Sequence, residues 1–124
     1  MDVTPLVPEG RQIIQGYSAG SFRVNGTTYD GAILVSPTQT SRWHAPSFSE
    51  LSEKDFDDLA ANANEIDVVL LGSGAKGEFF PPKLRAALKE KGLSVDAMDT
   101  GAACRTYNVL MAEGRRVVAA LLPL

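Results

Sequence analysis

A glycine-rich segment in the second half of the chain has the residue types to bind a phosphate group. Gly72 to Gly77 reads Gly-Ser-Gly-Ala-Lys-Gly, which fits the G-x-G-x-x-G pattern of dinucleotide-binding proteins. In those proteins the helix begins within the glycines, so that its amides meet the pyrophosphate. Here the residues Glu-Phe-Phe-Pro-Pro intervene at 78–82, and a residue before proline resists helical angles. We therefore predict a tight glycine turn and no bound cofactor.

Polar residues around this loop could bind a small anion together. The glycine loop and the segment Asp99 to Gly101 are both predicted to leave carboxyl ends of parallel strands, where ligands of open α/β sheets bind. Arg105 lies one turn into the next helix, and an arginine can hold a carboxylate or phosphate with two hydrogen bonds. The sequence leaves open whether Arg105 binds an anion, faces solvent or pairs with Glu113. The candidate ligand-binding residues are Ser73, Lys76, Thr100, Arg105 and Asn108.

Cys104 and His44 are the only residues of their types and are the obvious candidates for nucleophilic chemistry. A thiol near a helix N-terminus can have a lowered pKa. Cys104, however, lies in the second turn of a nearly all-apolar helix, where small buried cysteines are common. Nothing in the sequence brings His44 within hydrogen-bond reach of it. We therefore predict that Cys104 is structural, and we assign no catalytic residue and no metal site.

The stretch from Met98 to Leu122 must position most of these residues, and it predicts a strand end, a helix and a final strand. The helix is apolar around most of its circumference, which is typical of a buried helix. We predict Thr100 as its N-cap and Gly114 as the left-handed residue that ends it. Val117 to Leu122 is a continuous apolar run, the pattern of a strand covered on both faces.

The preceding segments complete an alternating pattern of strands and helices. Strands are predicted at Asp67 to Leu71 and Leu93 to Met98, and Pro82 suits the first position of a helix. The order is thus β-α-β-α-β, typical of parallel strands joined by right-handed crossovers. Residues 50–124 form this α/β core in the prediction, with an earlier helix capped at Ser52.

The first third of the chain predicts antiparallel strands. Asn25-Gly26 lies between two β-prone runs and is a strong signal for a hairpin, because a type I′ turn needs positive φ at both central residues. We predict an antiparallel β unit in residues 1–37, followed by a polar connection at residues 38–49. The fold class is α/β: a parallel layer with an N-terminal antiparallel β unit, in a single compact domain of 124 residues.

Composition restricts the partners and the location of the protein. The net charge is −3 and the 12 basic residues are scattered, which argues against a nucleic acid partner. The first residues lack the pattern of a signal peptide, which is a basic segment followed by an apolar one. No apolar run approaches the ~20 residues that span a bilayer, so no integral membrane protein is predicted. We expect a cytoplasmic protein.

The C-terminal helix and strand resemble a known family. Residues 103–110 read Ala-Cys-Arg-Thr-Tyr-Asn-Val-Leu, and this helix motif is the most specific feature. The other matching features are Leu71 to Gly74, Pro82, the Met98-Asp99-Thr100 turn, Ala119 to Pro123, Trp43 and the N-terminal β unit. The chain resembles small α/β domains of unknown function whose animal relatives include an adipogenesis-associated protein and mitochondrial complex I assembly factor three. Ser73 stands where many relatives have threonine, which keeps the hydroxyl.

The resemblance implies no established enzyme activity and a role through protein association, with a membrane respiratory complex as the kind of partner. Two functions therefore stay open. The first is a non-catalytic protein-interaction or assembly-factor-like module, favoured because no acid, base, nucleophile and metal ligands converge. The second is a small-molecule or anion-binding domain, or a cryptic enzyme, at the edge between the glycine loop and the Thr-Tyr-Asn helix. A closed polar pocket near Lys76 and Arg105 would favour the second function, and a flat apolar patch the first.

Overall fold

The computed structural model describes residues 11–124, and residues 1–10 of the predicted N-terminal unit lie outside this part. The strands are β1 (Ile14–Ser18), β2 (Ser21–Val24), β3 (Thr27–Asp30), β4 (Ile33–Val35), β5 (Thr40–Arg42), β6 (Val68–Gly72), β7 (Val95–Met98) and β8 (Val117–Leu121). The α-helices are α1 (Asp57–Ala61), α2 (Pro82–Glu90) and α3 (Thr100–Ala112). No helix in the described residues is long and apolar enough to cross a bilayer.

The central sheet has five strands in the order β5-β4-β8-β6-β7. Strand β6 lies between β7 and β8 and is parallel to both, with α2 and α3 as the connections. The predicted β-α-β-α-β layer is confirmed. Strand β8 is the middle strand of this sheet, and all five of its residues are buried, as its continuous apolar run predicts.

The N-terminal region is divided differently from the prediction. Strands β1, β2 and β3 form a separate antiparallel sheet, and the Asn25-Gly26 hairpin is confirmed by φ values of 47° and 83°. Strand β4, predicted within this unit, instead pairs with β8 and extends the central sheet. Strand β5 lies in the predicted polar connection and pairs with β4. Its three residues Thr-Ser-Arg are mostly exposed, so it has no apolar pattern by which it could be recognised.

Each face of the central sheet is covered by its own apolar cluster. On one face lie α3 and the small sheet, whose buried side chains meet those of the central strands. This cluster includes Ile14, Phe22, Val24, Ile33, Tyr107, Met111 and Leu121. The opposite face is covered by α1, α2 and the segment before α1, with Trp43, Phe56, Leu59, Phe80, Leu88 and Leu93. The predicted capping box before α1 is present, with the Ser52 amide donating to the Asp55 carboxylate at 2.8 Å.

The start of α3 differs by one residue from the prediction, whereas its end is as expected. Asp99 is the N-cap, because its carboxylate accepts from the amide of Ala102 at 2.9 Å. The prediction that Thr100 caps the helix is wrong, since the Thr100 side chain is fully buried and its hydroxyl bonds elsewhere. Gly114 has a φ of 82° and follows the helix end, which confirms its role as the left-handed residue.

The Thr100 hydroxyl connects the ends of two central strands. It accepts from the amide of Gly74, just after β6, at 2.8 Å and donates to the carbonyl of Leu122, just after β8, at 2.7 Å. The Thr100 amide donates to the Gly74 carbonyl at 2.8 Å, and the Leu122 amide donates to the Gly72 carbonyl at 3.0 Å. These bonds satisfy buried polar groups where the ends of β6 and β8 meet the start of α3.

Gly72→Ala should destabilise the protein by about 1–3 kcal/mol, because there is no room for a side chain at this position. A Cβ there would lie 2.8 Å from the Thr100 hydroxyl oxygen and 3.1 Å from a methyl group of Leu121. The matched control is Gly16→Ala, since a Cβ at Gly16 meets nothing within 4 Å. Urea unfolding of both variants measures the difference. Equal unfolding free energies for the two variants would show that Gly72 is not tightly enclosed.

Cys104 is part of the core of α3 and is only 2% exposed. Burial raises the pKa of its thiol from 9.0 to about 12. The folded state therefore keeps the thiol protonated and poorly nucleophilic at neutral pH, as expected of a structural cysteine. Unfolding exposes the thiol and returns its pKa to 9.0. The unfolding free energy is therefore unaffected by this group below pH 9 and falls as the pH rises from 9 toward 12.

We predict that Cys104 reacts with a thiol reagent such as DTNB at pH 8 at least ~100-fold more slowly than free cysteine, because almost no thiolate is present. Reaction should become fast once urea unfolds the protein. Cys104→Ala should keep the fold at a cost of about 1 kcal/mol, and should lose less stability between pH 7 and pH 10 than the natural chain. Modification of the folded protein faster than that of free cysteine would contradict the assignment.

Candidate functional site

Asn108, a candidate ligand-binding residue, joins the small sheet to α3. Its side-chain oxygen accepts from the amide of Ile14 at 3.0 Å, and its side-chain nitrogen donates to the carbonyl of Ile14 at 2.8 Å. The amide group thus pairs with the edge of β1 as a further strand would. One residue earlier, the hydroxyl of buried Tyr107 donates to the carbonyl of Gln12 at 2.8 Å. The Tyr-Asn pair of the helix motif is therefore used to hold the fold together.

Arg105 lies on the exposed side of the same helix, where it contacts the small sheet from outside. Its guanidinium donates to the hydroxyl of Tyr17 at 3.0 Å. It forms no ion pair within residues 11–124, so of the three alternatives that the sequence leaves open the pairing with Glu113 is absent there. Gly101 makes room for this contact, because a Cβ at that position would lie 2.7 Å from the Tyr17 hydroxyl and 3.3 Å from the guanidinium.

Three exposed residues form a surface that we call the α3 face: Tyr17, Arg105 and Val109, with buried Gly101 beneath the contact between the first two. Val109 follows Arg105 by four residues, on the same side of the helix, and is 58% exposed. Tyr17 is 38% exposed. Sequence analysis found Arg105 but missed Tyr17, which is 88 positions away and carries no motif. Tyrosine and arginine are both enriched among the residues that dominate protein–protein binding.

The glycine loop uses its hydroxyl group to close on itself. Ser73 is 7% exposed, and its hydroxyl donates to the carbonyl of Lys76 at 2.6 Å, with the carbonyl of Met98 at 3.1 Å as a second acceptor. The Lys76 side chain is exposed and makes no ion pair in the part of the chain that the structure describes. Of the five candidate residues, Ser73, Thr100 and Asn108 therefore serve the fold, and Lys76 and Arg105 face solvent.

The N-terminus of α3 already holds a negative charge. The Asp99 carboxylate accepts from the Ala102 amide, and the Asp99 carbonyl accepts from the Ala103 amide at 3.0 Å. The amide of Thr100 is bonded to Gly74. A carboxylate at this position complements the helix dipole. An incoming anion would have to displace or approach that carboxylate, which disfavours anion binding at this helix end.

Two surface grooves in the described residues are lined by neither Lys76 nor Arg105. The larger has a volume of about 750 Å³ and lies at the opposite end of the parallel strands, where Leu34, Leu59 and Val117 are among its lining residues. Its rim carries charges of both signs, including Arg115 and Glu65. The smaller, about 360 Å³, lies beside residues 78–81. In residues 11–124 no three His, Cys, Asp or Glu side chains are grouped so as to hold a metal ion.

Comparison with known proteins gives a consistent result. An uncharacterized protein of Rhodobacter capsulatus is 39% identical over 114 residues, which covers 90% of this chain and 84% of that protein. The NADH dehydrogenase [ubiquinone] 1 alpha subcomplex assembly factor 3 of Danio rerio is 34% identical over 111 residues. That match covers 90% of this chain and 64% of the assembly factor, so the chain spans slightly less than two thirds of this relative's length.

A solved structure agrees in fold. The crystal structure of a protein from Bordetella parapertussis matches with a TM-score of 0.83 at 35% identity, and the match covers 94% of this chain and 100% of that one. The match to a family of proteins of unknown function, DUF498/DUF598, extends over residues 14–122. That range runs from β1 to the residue after β8, and so includes both sheets and all three α-helices. The chain belongs to this family, whose animal relatives include NADH dehydrogenase assembly factor 3.

Proposed function

We propose that this chain is a non-catalytic protein-association module that acts in the assembly of an NADH dehydrogenase, and that the α3 face is its contact surface. The observation that supports the role most strongly is the similarity to assembly factors over nine tenths of this chain. The matched region includes both the motif helix and the small sheet that together form the α3 face. A cytoplasmic place of action stays a prediction.

Different residues of α3 serve folding and binding. Tyr107 and Asn108 are engaged in hydrogen bonds to backbone groups of the N-terminal region. Arg105 and Val109 are exposed, and Arg105 contacts the small sheet through the exposed side chain of Tyr17. Residues that hold the fold cannot also reach a partner without breaking those bonds, whereas the exposed pair can. The partner surface therefore meets Arg105 and Val109.

The α3 face is organised before any partner binds. The hydrogen bond from Arg105 to Tyr17 fixes both side chains against the first turn of the helix. Fixing a long side chain in advance reduces the conformational entropy that is lost on binding. The guanidinium has five N–H donors, and the bond to Tyr17 uses one of them. The remaining donors suit a carboxylate on the partner, and Val109 provides an apolar contact beside it.

The anion-binding alternative is not supported by a comparable observation. Of the five residues predicted to bind an anion, Lys76 and Arg105 are exposed. The side chains of the other three are hydrogen-bonded within the fold: Ser73, Thr100 and Asn108. The larger groove lies at the other end of the sheet. We therefore propose protein association alone.

Arg105→Ala should weaken the assembly role with little effect on stability, because Arg105 is exposed and contributes one hydrogen bond at the surface. The test uses the native host with the gene for this chain deleted, and measures the fully assembled NADH dehydrogenase on native gels. The natural chain should restore assembly, and Arg105→Ala should restore clearly less. Arg23→Ala, which removes an exposed arginine on β2, should restore it fully.

Stability measurements separate binding from folding in this test. The melting temperature of Arg105→Ala should stay within about 2 °C of that of the natural chain. Asn108→Ala should instead lose about 1–3 kcal/mol of unfolding free energy, because both backbone groups of Ile14 lose their partners. Normal assembly of the NADH dehydrogenase in the host that lacks the gene for this chain would refute the proposed role. A large stability loss in Arg105→Ala would remove Arg105 from the contact surface.

A further inference from the structure

Asn25 is followed by a glycine, and the two residues of this pair can react with each other. Glycine has no side chain, so its backbone nitrogen can approach the side-chain carbon of the residue before it. The other asparagines of the chain, Asn62, Asn64 and Asn108, precede alanine, glutamate and valine. Asn25 and Gly26 are both exposed at the turn between β2 and β3, where water reaches them. This turn is therefore the place where an asparagine of the chain is most open to deamidation.

The reaction takes place between the backbone nitrogen of Gly26 and the side-chain amide carbon of Asn25. A bond forms from the nitrogen to Cγ and the bond from Cγ to Nδ2 breaks, which closes a cyclic imide. Nδ2 leaves as ammonia and takes with it the proton that the Gly26 nitrogen gives up. Water then adds to either carbonyl of the imide and opens the ring, which leaves aspartate or isoaspartate at position 25. Water is the only other reactant.

In the folded chain both reacting groups have hydrogen-bond partners. The Gly26 amide donates to the side-chain oxygen of Gln15 at 2.6 Å. The side-chain oxygen of Asn25 accepts from the Ile13 amide at 2.7 Å, and its side-chain nitrogen donates to the Arg11 carbonyl at 2.8 Å. The backbone amide of Asn25 also donates to the Ile13 carbonyl at 3.1 Å. We call these hydrogen bonds the Asn25 clasp.

The Asn25 clasp keeps the two reacting groups apart. For the ring to close, the Gly26 nitrogen must lose its proton, and that proton is bonded to Gln15. The side chain of Asn25 must also rotate toward Gly26, which breaks its bonds to the segment before β1. The turn itself has φ values of 47° and 83° and is fixed by the pairing of β2 with β3. Deamidation in the folded chain therefore requires that the clasp open first.

We propose that Asn25 is a deamidation site and that opening of the Asn25 clasp sets its rate. The clasp lies at the surface, where hydrogen bonds open locally at a lower free energy than those of the core. Opening it detaches residues 11–13 and the Gln15 side chain from the turn, and the central sheet stays closed. The reaction is thus possible without global unfolding. This proposal is independent of the assembly role.

Neither product can restore the clasp. An aspartate side chain still accepts from the Ile13 amide, but it has no donor for the Arg11 carbonyl, and two acceptors then face each other. Isoaspartate adds a methylene group to the backbone of the turn, whose length sets the register of β2 with β3. We therefore expect the modified chain to hold residues 11–13 less tightly than the natural chain does.

Incubation in a mildly alkaline buffer, followed by proteolysis and mass spectrometry, measures deamidation at each asparagine. Asn25 should react before the other asparagines of the folded chain. The same site should react at least ~10-fold faster when urea unfolds the chain, because the clasp is then absent. Equal rates in the folded and the unfolded chain would overturn the proposal, and so would faster reaction at Asn62 or Asn64 of the folded chain.

Two variants test whether the clasp sets the rate. Gln15→Ala removes the acceptor of the Gly26 amide and should speed the reaction of the folded chain at least ~3-fold. The matched control is Gln39→Ala, which shortens an exposed glutamine between β4 and β5 and should leave the rate unchanged. An unchanged rate in Gln15→Ala, or an equal increase in the control, would contradict the assignment.

Native-state hydrogen exchange of the Gly26 amide gives a second, independent measurement. Its protection factor should equal, within ~3-fold, the ratio of the unfolded to the folded deamidation rate, because the same opening exposes both groups. The amides of β8 should stay protected in Gln15→Ala, which separates local opening from global unfolding. A reaction at Asn25 that follows the exchange of the β8 amides instead would show that the clasp does not control it, and would overturn the proposal.

Discussion

The buried hydroxyl of Thr100 is the interaction on which the rest of the structure depends. It lies between an amide that follows β6 and a carbonyl that follows β8, and bonds to both. Without it, two backbone groups would be buried without partners, at a cost of about 1–3 kcal/mol each. The close approach is possible because Gly72 has no Cβ, which would lie 2.8 Å from the hydroxyl oxygen. A glycine and a threonine thereby fix where α3 leaves the sheet.

The position of α3 then determines both the second sheet and the exposed surface. Asn108 reaches β1, and Tyr107 reaches Gln12 just before it, because the helix starts at the sheet edge and runs across its face. The same turn of the helix places Arg105 beside Tyr17 of the small sheet. The Thr-Tyr-Asn motif thus mainly holds the fold together. The family resemblance that rests on this motif therefore indicates a shared fold more directly than a shared binding site. Binding is assigned to Arg105 and Val109, the exposed residues of this helix.

Sequence periodicity was sufficient for the central layer and insufficient for the contacts between distant segments. The apolar runs of β6 and β8, and the proline and glycine signals around α2, each have a local physical cause. The N-cap of α3 was predicted one residue too late, because Asp99 and Thr100 are both good capping residues and only tertiary structure buries the second. Strand β5 is polar, and it becomes a strand through its pairing with β4.

The candidate site was predicted less well for the same reason. Hydroxyl and amide side chains at a strand edge look alike in sequence whether they bind a ligand or satisfy the backbone. Ser73 and Asn108 do the latter. The contact between Tyr17 and Arg105 joins the small sheet to α3 across 88 positions of the chain, which no local pattern records.

Native-state amide hydrogen exchange at Gly74, measured by NMR, tests the central role of the Thr100 hydroxyl most directly. Gly74 lies in a loop, where amides ordinarily exchange fast, but its amide donates to a buried hydroxyl. We predict protection equal to that of the β8 amides Val118 and Ala120, with exchange only on global unfolding. Thr100→Val should abolish this protection at Gly74 while the β8 amides stay protected. Rapid exchange of Gly74 in the natural chain, at the rate of an exposed loop amide, would contradict the account.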